Sequence, residues 1–175
     1  DFNCPGNSLR TSMRRAMDAA GTSAEEVLAV EAVGTVPSLE MCEVAAVQEV
    51  AATADRREPV LINSLASQFG MMGAAHGLAG VAKAAGAVAS GRLPAGAATK
   101  NPRRSLFASA KVRPQQVNVP LNPETASLMV LCGRSRGVSH AALIESARKA
   151  SRPKVLPMRK PAAAVRAGAH IVRLG

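Results

Sequence analysis

The side chains able to do polar chemistry are few in this chain and stand far apart. There are three histidines and three cysteines among 175 residues. Cys4, Cys42 and Cys132 show no paired spacing of the kind that holds zinc, and an odd, scattered set does not suggest a disulfide framework. No metal and no cofactor are therefore expected, and a reducing compartment fits best. Cys42 lies in a helical pattern without a basic or histidine neighbour, so a small buried hydrophobe is the favoured reading over a nucleophile. His76 and His140 are read as packed or capped imidazoles rather than general bases, and Arg103-Arg104 as a solvated loop pair rather than a phosphate clamp.

Elements to position these groups can be read from periodicity. Ser8 is a plausible N-cap, and Leu9, Met13, Ala16, Met17 and Ala20 recur at helical spacing before Gly21. Val27 to Ala32 and Pro59 to Leu65 are short apolar runs that suit buried strands. Between them, Leu39, Cys42, Ala46, Val47 and Val50 mark a second helix. An Ala/Gly-rich stretch from Gly70 to Ala89 reads as a long buried helix rather than a membrane span, since it carries His76 and Lys83. Little regular structure is expected from Leu93 to Pro123. Two strands, about Ser127 to Leu131 and Ser139 to Ile144, close the pattern around Gly133-Arg134-Ser135-Arg136-Gly137. Strand, helix, strand, helix implies an α/β fold with parallel pairing.

Composition narrows the function classes. The chain is 47% apolar, enough for a packed core, but only 2% aromatic, with no Tyr or Trp, so base stacking on aromatic platforms is nearly excluded. The net charge of +10 is unevenly placed. Residues 1–145 hold 14 Lys/Arg against 12 Asp/Glu, whereas residues 146–175 hold eight basic residues and no acid. Arg148, Lys149, Arg152, Lys154, Arg159, Lys160, Arg166 and Arg173, interleaved with Pro153, Pro157 and Pro161, read as a basic extended arm. Two units are thus expected, a folded domain at 1–145 and an arm at 146–175. The first residue is Asp, so an upstream segment, with any targeting peptide, is expected to precede it. Cytoplasm or an organelle interior, plastid or mitochondrion, would both suit.

Several segments, in order, resemble one family. Ser12-Met13-Arg14-Arg15-Ala16-Met17-Asp18-Ala19-Ala20-Gly21 followed by Val30-Glu31-Ala32-Val33-Gly34-Thr35 is similar to a helix leading into Glu-Ala-His-Gly-Thr. Leu61-Ile62-Asn63-Ser64-Leu65-Ala66-Ser67-Gln68-Phe69-Gly70-Met71 resembles Gly-Ser-Val-Lys-Ser-Asn-Ile-Gly-His. Gly73 to Lys83 is similar to the Ala/Gly helix that follows, and Leu93-Pro94 to Asn101-Pro102 to the loop behind it. Leu131 to His140 looks like the Gly-Phe-Gly-Gly-Thr-Asn-Ala-His strand pair. These are motifs of the C-terminal half of the β-ketoacyl synthases, the thiolase-fold condensing enzymes of fatty acid and polyketide assembly, and they cover about residues 1–145.

The resemblance implies a thiolase-like mixed sheet with flanking helices around a buried Ala/Gly helix. It also implies losses. In that family a cysteine of the N-terminal half takes the acyl chain, and two histidines assist decarboxylation and stabilise the thioester oxyanion. Val33 and Met71 stand where the histidines belong, Ala66 where a lysine belongs, Gly73 where a glutamate belongs, and Arg134 where a gate phenylalanine belongs. His76, five residues past Met71 on the expected helix, would be turned to another face. The implied function is a non-catalytic ketosynthase-like subunit of fatty acid or polyketide synthesis. It would be partnered by an N-terminal half, a second copy or a larger assembly, with an acyl-carrier protein as a possible partner. The rival is a structural subunit of a large assembly, an organellar complex or ribonucleoprotein, that reuses the fold and is tethered to a polyanion through the arm. An active condensing enzyme completed by an unseen half is the third alternative.

Overall fold

A computed structural model describes residues 6–34, 36–53, 56–96, 101–135, 138–146, 149 and 169–174. Helix α1 (Gly6–Ala20) leads into strand β1 (Val27–Ala32), helix α2 (Pro37–Val50) and strand β2 (Val60–Ser64). A short helix α3 (Ala66–Phe69) and a 3₁₀ turn (Gly73–Ala75) precede helix α4 (His76–Ser90). Strands β3 (Arg92–Leu93), β4 (Val112–Pro114) and β5 (Val119–Pro120) are short, and β6 (Ser127–Ser135), β7 (Val138–Ser146) and β8 (Ala169–Leu174) complete the described elements.

Six strands form one sheet in the order β4-β2-β1-β6-β7-β8. β1 pairs in parallel with both β2 (Val30 opposite Ile62) and β6 (Val30 opposite Met129), while β6 and β7 are antiparallel. The two expected strands are therefore parallel neighbours joined by α2. Five of the six residues of β1 are buried, as a strand covered on both faces requires. One core packs α1 and α2 against the sheet through Met13, Met17, Val47, Val30 and Leu143. The other packs α4 on the opposite face through Ala84, Ala87, Val88, Leu128 and Ile144. This is a three-layer α/β unit. No helix among the described residues is long and apolar enough to cross a membrane.

The expected Gly70–Ala89 helix differs in one consequential way, because α4 begins only at His76. Gly70 has φ +73°, left-handed backbone that favours glycine, and it ends α3 instead of opening a longer helix. Gly77 has a different role. A Cβ there would lie 2.3 Å from the carbonyl oxygen of Cys132, so the absent side chain lets α4 settle directly on β6. Nor is α4 covered all round: Gly80, Ala84 and Ala87 face the sheet, while Leu78 is 74% exposed.

The basic arm needs two corrections. Lys149 belongs to the folded unit, since its ammonium pairs with Glu145 at 3.0 Å and Glu26 at 3.4 Å. Glu145 is itself buried and accepts from Thr22 Oγ1 at 2.7 Å, so Lys149 completes a polar cluster that ties α1's end to β7. Residues 169–174, expected as extended arm, form β8 and pair in parallel with β7, Ala141 opposite Ala169 through Ser146 opposite Leu174. A short segment with the β-branched pair Ile171-Val172, beside the free edge of β7, gains a ladder of backbone hydrogen bonds. Arg148, Arg152, Lys154, Arg159, Lys160 and Arg166 lie outside the described residues, as does the Arg173 side chain.

Candidate functional site

The chain turns sharply after β1, and that turn is held from two sides. The Glu43 carboxylate, at the middle of α2, accepts from Val33 N at 3.2 Å and from Gly34 N at 2.9 Å. From β2, Ser64 Oγ donates to the Val33 carbonyl at 3.1 Å. Glu43 is 2% exposed, and burial pushes its carboxyl up to about 7 against the two N–H groups that favour the charged form.

Behind this turn lies a cavity of about 520 Å³. Leu9 of α1 and Leu39 and Glu43 of α2 form one wall, Leu131, Cys132 and Gly133 of β6 and His140 of β7 another, and Val33, Met71 and His76 close it. The two positions where the resemblance places the family's histidines, Val33 and Met71, thus meet in one cavity although 38 residues separate them in the chain. Val33 is buried; Met71 is 61% exposed at the rim. Ala66 sits on α3 and is not among the cavity's lining residues, whereas Gly73 is. The side chain of Arg134 lies outside the described residues; its backbone pairs with Ser139.

His76 is buried, as a packed imidazole is, but its expected position on another face is corrected. The helix was expected to carry it away from position 71, yet it lines the same cavity and is only 5% exposed. As the first residue of α4 it is not related to Met71 by helical rotation. Neither ring nitrogen has a hydrogen-bond partner in the protein. Desolvation pulls its pKa down, and the Val33 backbone opposes that fall. His140, half-buried on β7 opposite Gly133, also lines the cavity. Cys132 is a free thiol, and burial raises its pKa, so at neutral pH it is a protonated wall rather than a nucleophile.

Cys42 corrects a second expectation. It is buried, as foreseen, but it is disulfide-bonded, with a partner outside the described residues. Spacing along a sequence does not report which cysteines meet in space. Arg103 is a half-exposed loop residue, as expected, and lies 3.6 Å from Glu40; the Arg104 side chain is outside the described residues. Sequence reasoning missed Glu43 altogether, because a carboxylate on a helix announces its partners only once the β1 turn is folded against it. It also missed a buried ion pair across the sheet, Glu31 of β1 with Lys83 of α4 at 2.7 Å. No cluster of three metal-ligating side chains exists among the described residues.

A three-layer sheet with an Ala/Gly helix laid on β6, and a cavity at the end of β1, define the class: the C-terminal half of a ketosynthase-type fold. The chain belongs to the family described as β-ketoacyl synthase, C-terminal domain, whose model matches residues 4–100, more than half of its 175 residues. Solved structures agree in fold. The oxazolomycin ketosynthase domain OzmH KS8 of Streptomyces albus JA3453 shares 23% identity, with a TM-score of 0.64 over 93% of this chain and 43% of that one. The domain OzmH KS7 shares 20%, with a TM-score of 0.61 over 78% and 25%. Ketosynthase twelve of the bacillaene polyketide synthase of Bacillus amyloliquefaciens shares 20%, with a TM-score of 0.63 over 77% and 24%. The chain spans about a quarter of the length of these last two ketosynthases. No curated protein matches the sequence.

Proposed function

We propose that this chain is a ketosynthase-like subunit that supplies the C-terminal half of the fold and an acyl-sized cavity without the condensing chemistry. One observation carries the reading: Val33 and Met71 both line the cavity at the end of β1, and neither side chain can transfer a proton or donate to a developing enolate. An N-terminal half is the partner that suits it best. Phe69 (70% exposed), Met71 and Leu78 place large apolar side chains on the surface around the start of α4, where a second layer would cover them. An acyl-carrier protein would be a further partner.

The test is turnover. The purified chain, mixed with acyl and malonyl carriers and with a ketosynthase N-terminal half, should release no carbon dioxide and form no condensed product above background. Val33→His or Met71→His alone should not restore activity, since groups that act as a unit are not rescued singly. Turnover in the unaltered mixture refutes the reading. Less supports the tethered-assembly alternative, since Lys149 is paired within the fold and residues 169–174 pair with β7. Salt-dependent RNA binding lost on deleting residues 150–168 would favour it.

A further inference from the structure

Two polar side chains on neighbouring strands are buried side by side with hydrogen-bonding capacity that the protein does not use. Glu31 of β1 and Asn63 of β2 stand opposite one another in the parallel register and are 8% and 4% exposed. Glu31 Oε2 lies 2.7 Å from the Lys83 ammonium of α4, but Glu31 Oε1 has no hydrogen-bond partner in the protein. Asn63 Oδ1 accepts from Ser64 N at 2.8 Å, which fixes the orientation of the amide and leaves Nδ2 a buried donor with no protein partner. Lys83 Nζ is buried as well, and an ammonium has three N–H donors, so the contact with Glu31 leaves capacity over. Each such group costs stability unless it is satisfied, and three in one place point to something that satisfies them together.

The same three residues line one cavity of about 10 Å³ between the sheet and α4, walled also by Leu128, Met129 and Gln115. We propose that this cavity is a binding site for a single ordered water molecule, which accepts from Asn63 Nδ2 and Lys83 Nζ and donates to Glu31 Oε1. The volume is about that needed for one water, and three hydrogen bonds are what a buried water usually makes. The charges select it. An ammonium and an amide N–H group disfavour a metal cation, the Glu31 carboxylate disfavours an anion, and only a small molecule that both donates and accepts meets all three groups. Held there, the water joins β1, β2 and α4 at one polar node and solvates a carboxylate that burial pushes toward its protonated form. The site shares no lining residue with the cavity at the end of β1, so it is independent of the non-condensing reading.

The test counts the water in the full chain at pH 7.5. In ¹⁵N-labelled protein the Asn63 side-chain amide protons, although buried, should show a cross-peak to water with the sign of a long-lived contact in both NOE and ROE spectra. Asn63→Leu, which keeps the volume and removes the donor, should lower the oxygen-17 relaxation dispersion of the solvent by the amplitude of about one internal water per chain, a signal to which labile protons do not contribute. Asn63→Ser, which keeps a donor, should retain that amplitude. The Glu31 carboxyl, followed by ¹³C, should titrate higher in Asn63→Leu than in the parent, because it loses a partner for its charged form. A missing cross-peak in the parent, an unchanged amplitude in Asn63→Leu, or an equal loss of amplitude in Asn63→Ser would each overturn the proposal. Should Asn63→Leu fail to fold, the parent's cross-peak and the Asn63→Ser amplitude decide it by the same criteria.

Discussion

Glu43→Gln should change how stability depends on pH, and the size of the change can be worked from the β1 turn. The Glu43 carboxyl titrates near 7 in the folded protein against 4.5 for an unburied glutamate. The folded state therefore holds this proton more tightly than the unfolded state. The resulting contribution is greatest below about pH 4.5, declines as pH rises, and is lost above about 7. A shift of this size at about 1.4 kcal/mol per pH unit corresponds to about 3 kcal/mol. Glutamine stays neutral throughout and removes that slope, at the cost of one of the two backbone hydrogen bonds, about 1–2 kcal/mol. The variant should thus be the less stable protein at pH 5 and the more stable at pH 8.5, the difference moving by about 2.5 kcal/mol in its favour, since part of the effect is already spent by pH 5. Urea unfolding followed by far-ultraviolet circular dichroism suits a chain with no Trp or Tyr. A difference that stays flat from pH 5 to 8.5 would show that burial does not hold the proton on Glu43.

Two further perturbations test the packing behind the cavity. Lys83→Met strands the Glu31 carboxylate beneath α4 and should cost about 3–5 kcal/mol at pH 7.5, less in acid, where Glu31 can take up a proton; Lys83→Met with Glu31→Leu should recover most of the loss. Thermal and urea unfolding across this double-mutant cycle read it, and a single-variant loss under about 1 kcal/mol would contradict a desolvated pair. Gly77→Ala forces a Cβ to within 2.3 Å of the Cys132 carbonyl and should cost about 1–3 kcal/mol or more, while Gly86→Ala on the same helix, with nothing within 4 Å, should gain about 0.5–1 kcal/mol. Equal melting shifts for the two would mean that α4 does not rest on β6 at Gly77.

Much of this was legible from the sequence, and the reasons differ by element. β1 and β2 were recognisable because Val27–Ala32 and Val60–Ser64 are buried on both faces and so read as apolar runs. The meeting of Val33 and Met71 followed from the resemblance to the family, whose two histidines those positions replace. His76 was misplaced because a continuous helix was assumed from Gly70; the clue lay in Gly70 and Gly73, both at positive φ, which reset the chain before α4 begins. Glu43 and Lys149 were missed for different reasons: the partners of Glu43 lie nine and ten residues away on the β1 turn and leave no local pattern, whereas Lys149, which reaches Glu145 four residues back and Glu26 across the fold, was counted with the arm. The strand at Ala169–Leu174 was obscured by its basic surroundings, which outweighed its four apolar residues, Ala169, Ile171, Val172 and Leu174, in the reading of composition.

The contact of Gly77 with the Cys132 backbone sets where this cavity can change. Beside it, behind Cys132 of its lining, two main chains stand in direct apposition, so position 77 admits no side chain, and a change there would have to move a whole helix. The rim carries Met71, an unbranched side chain on a loop, open to solvent over most of its surface. Sequence drift would therefore remodel the entrance and leave the apposed main chains untouched. Related chains that differ in what they admit should differ at position 71 and its loop, while the helix and strand beneath keep one spacing.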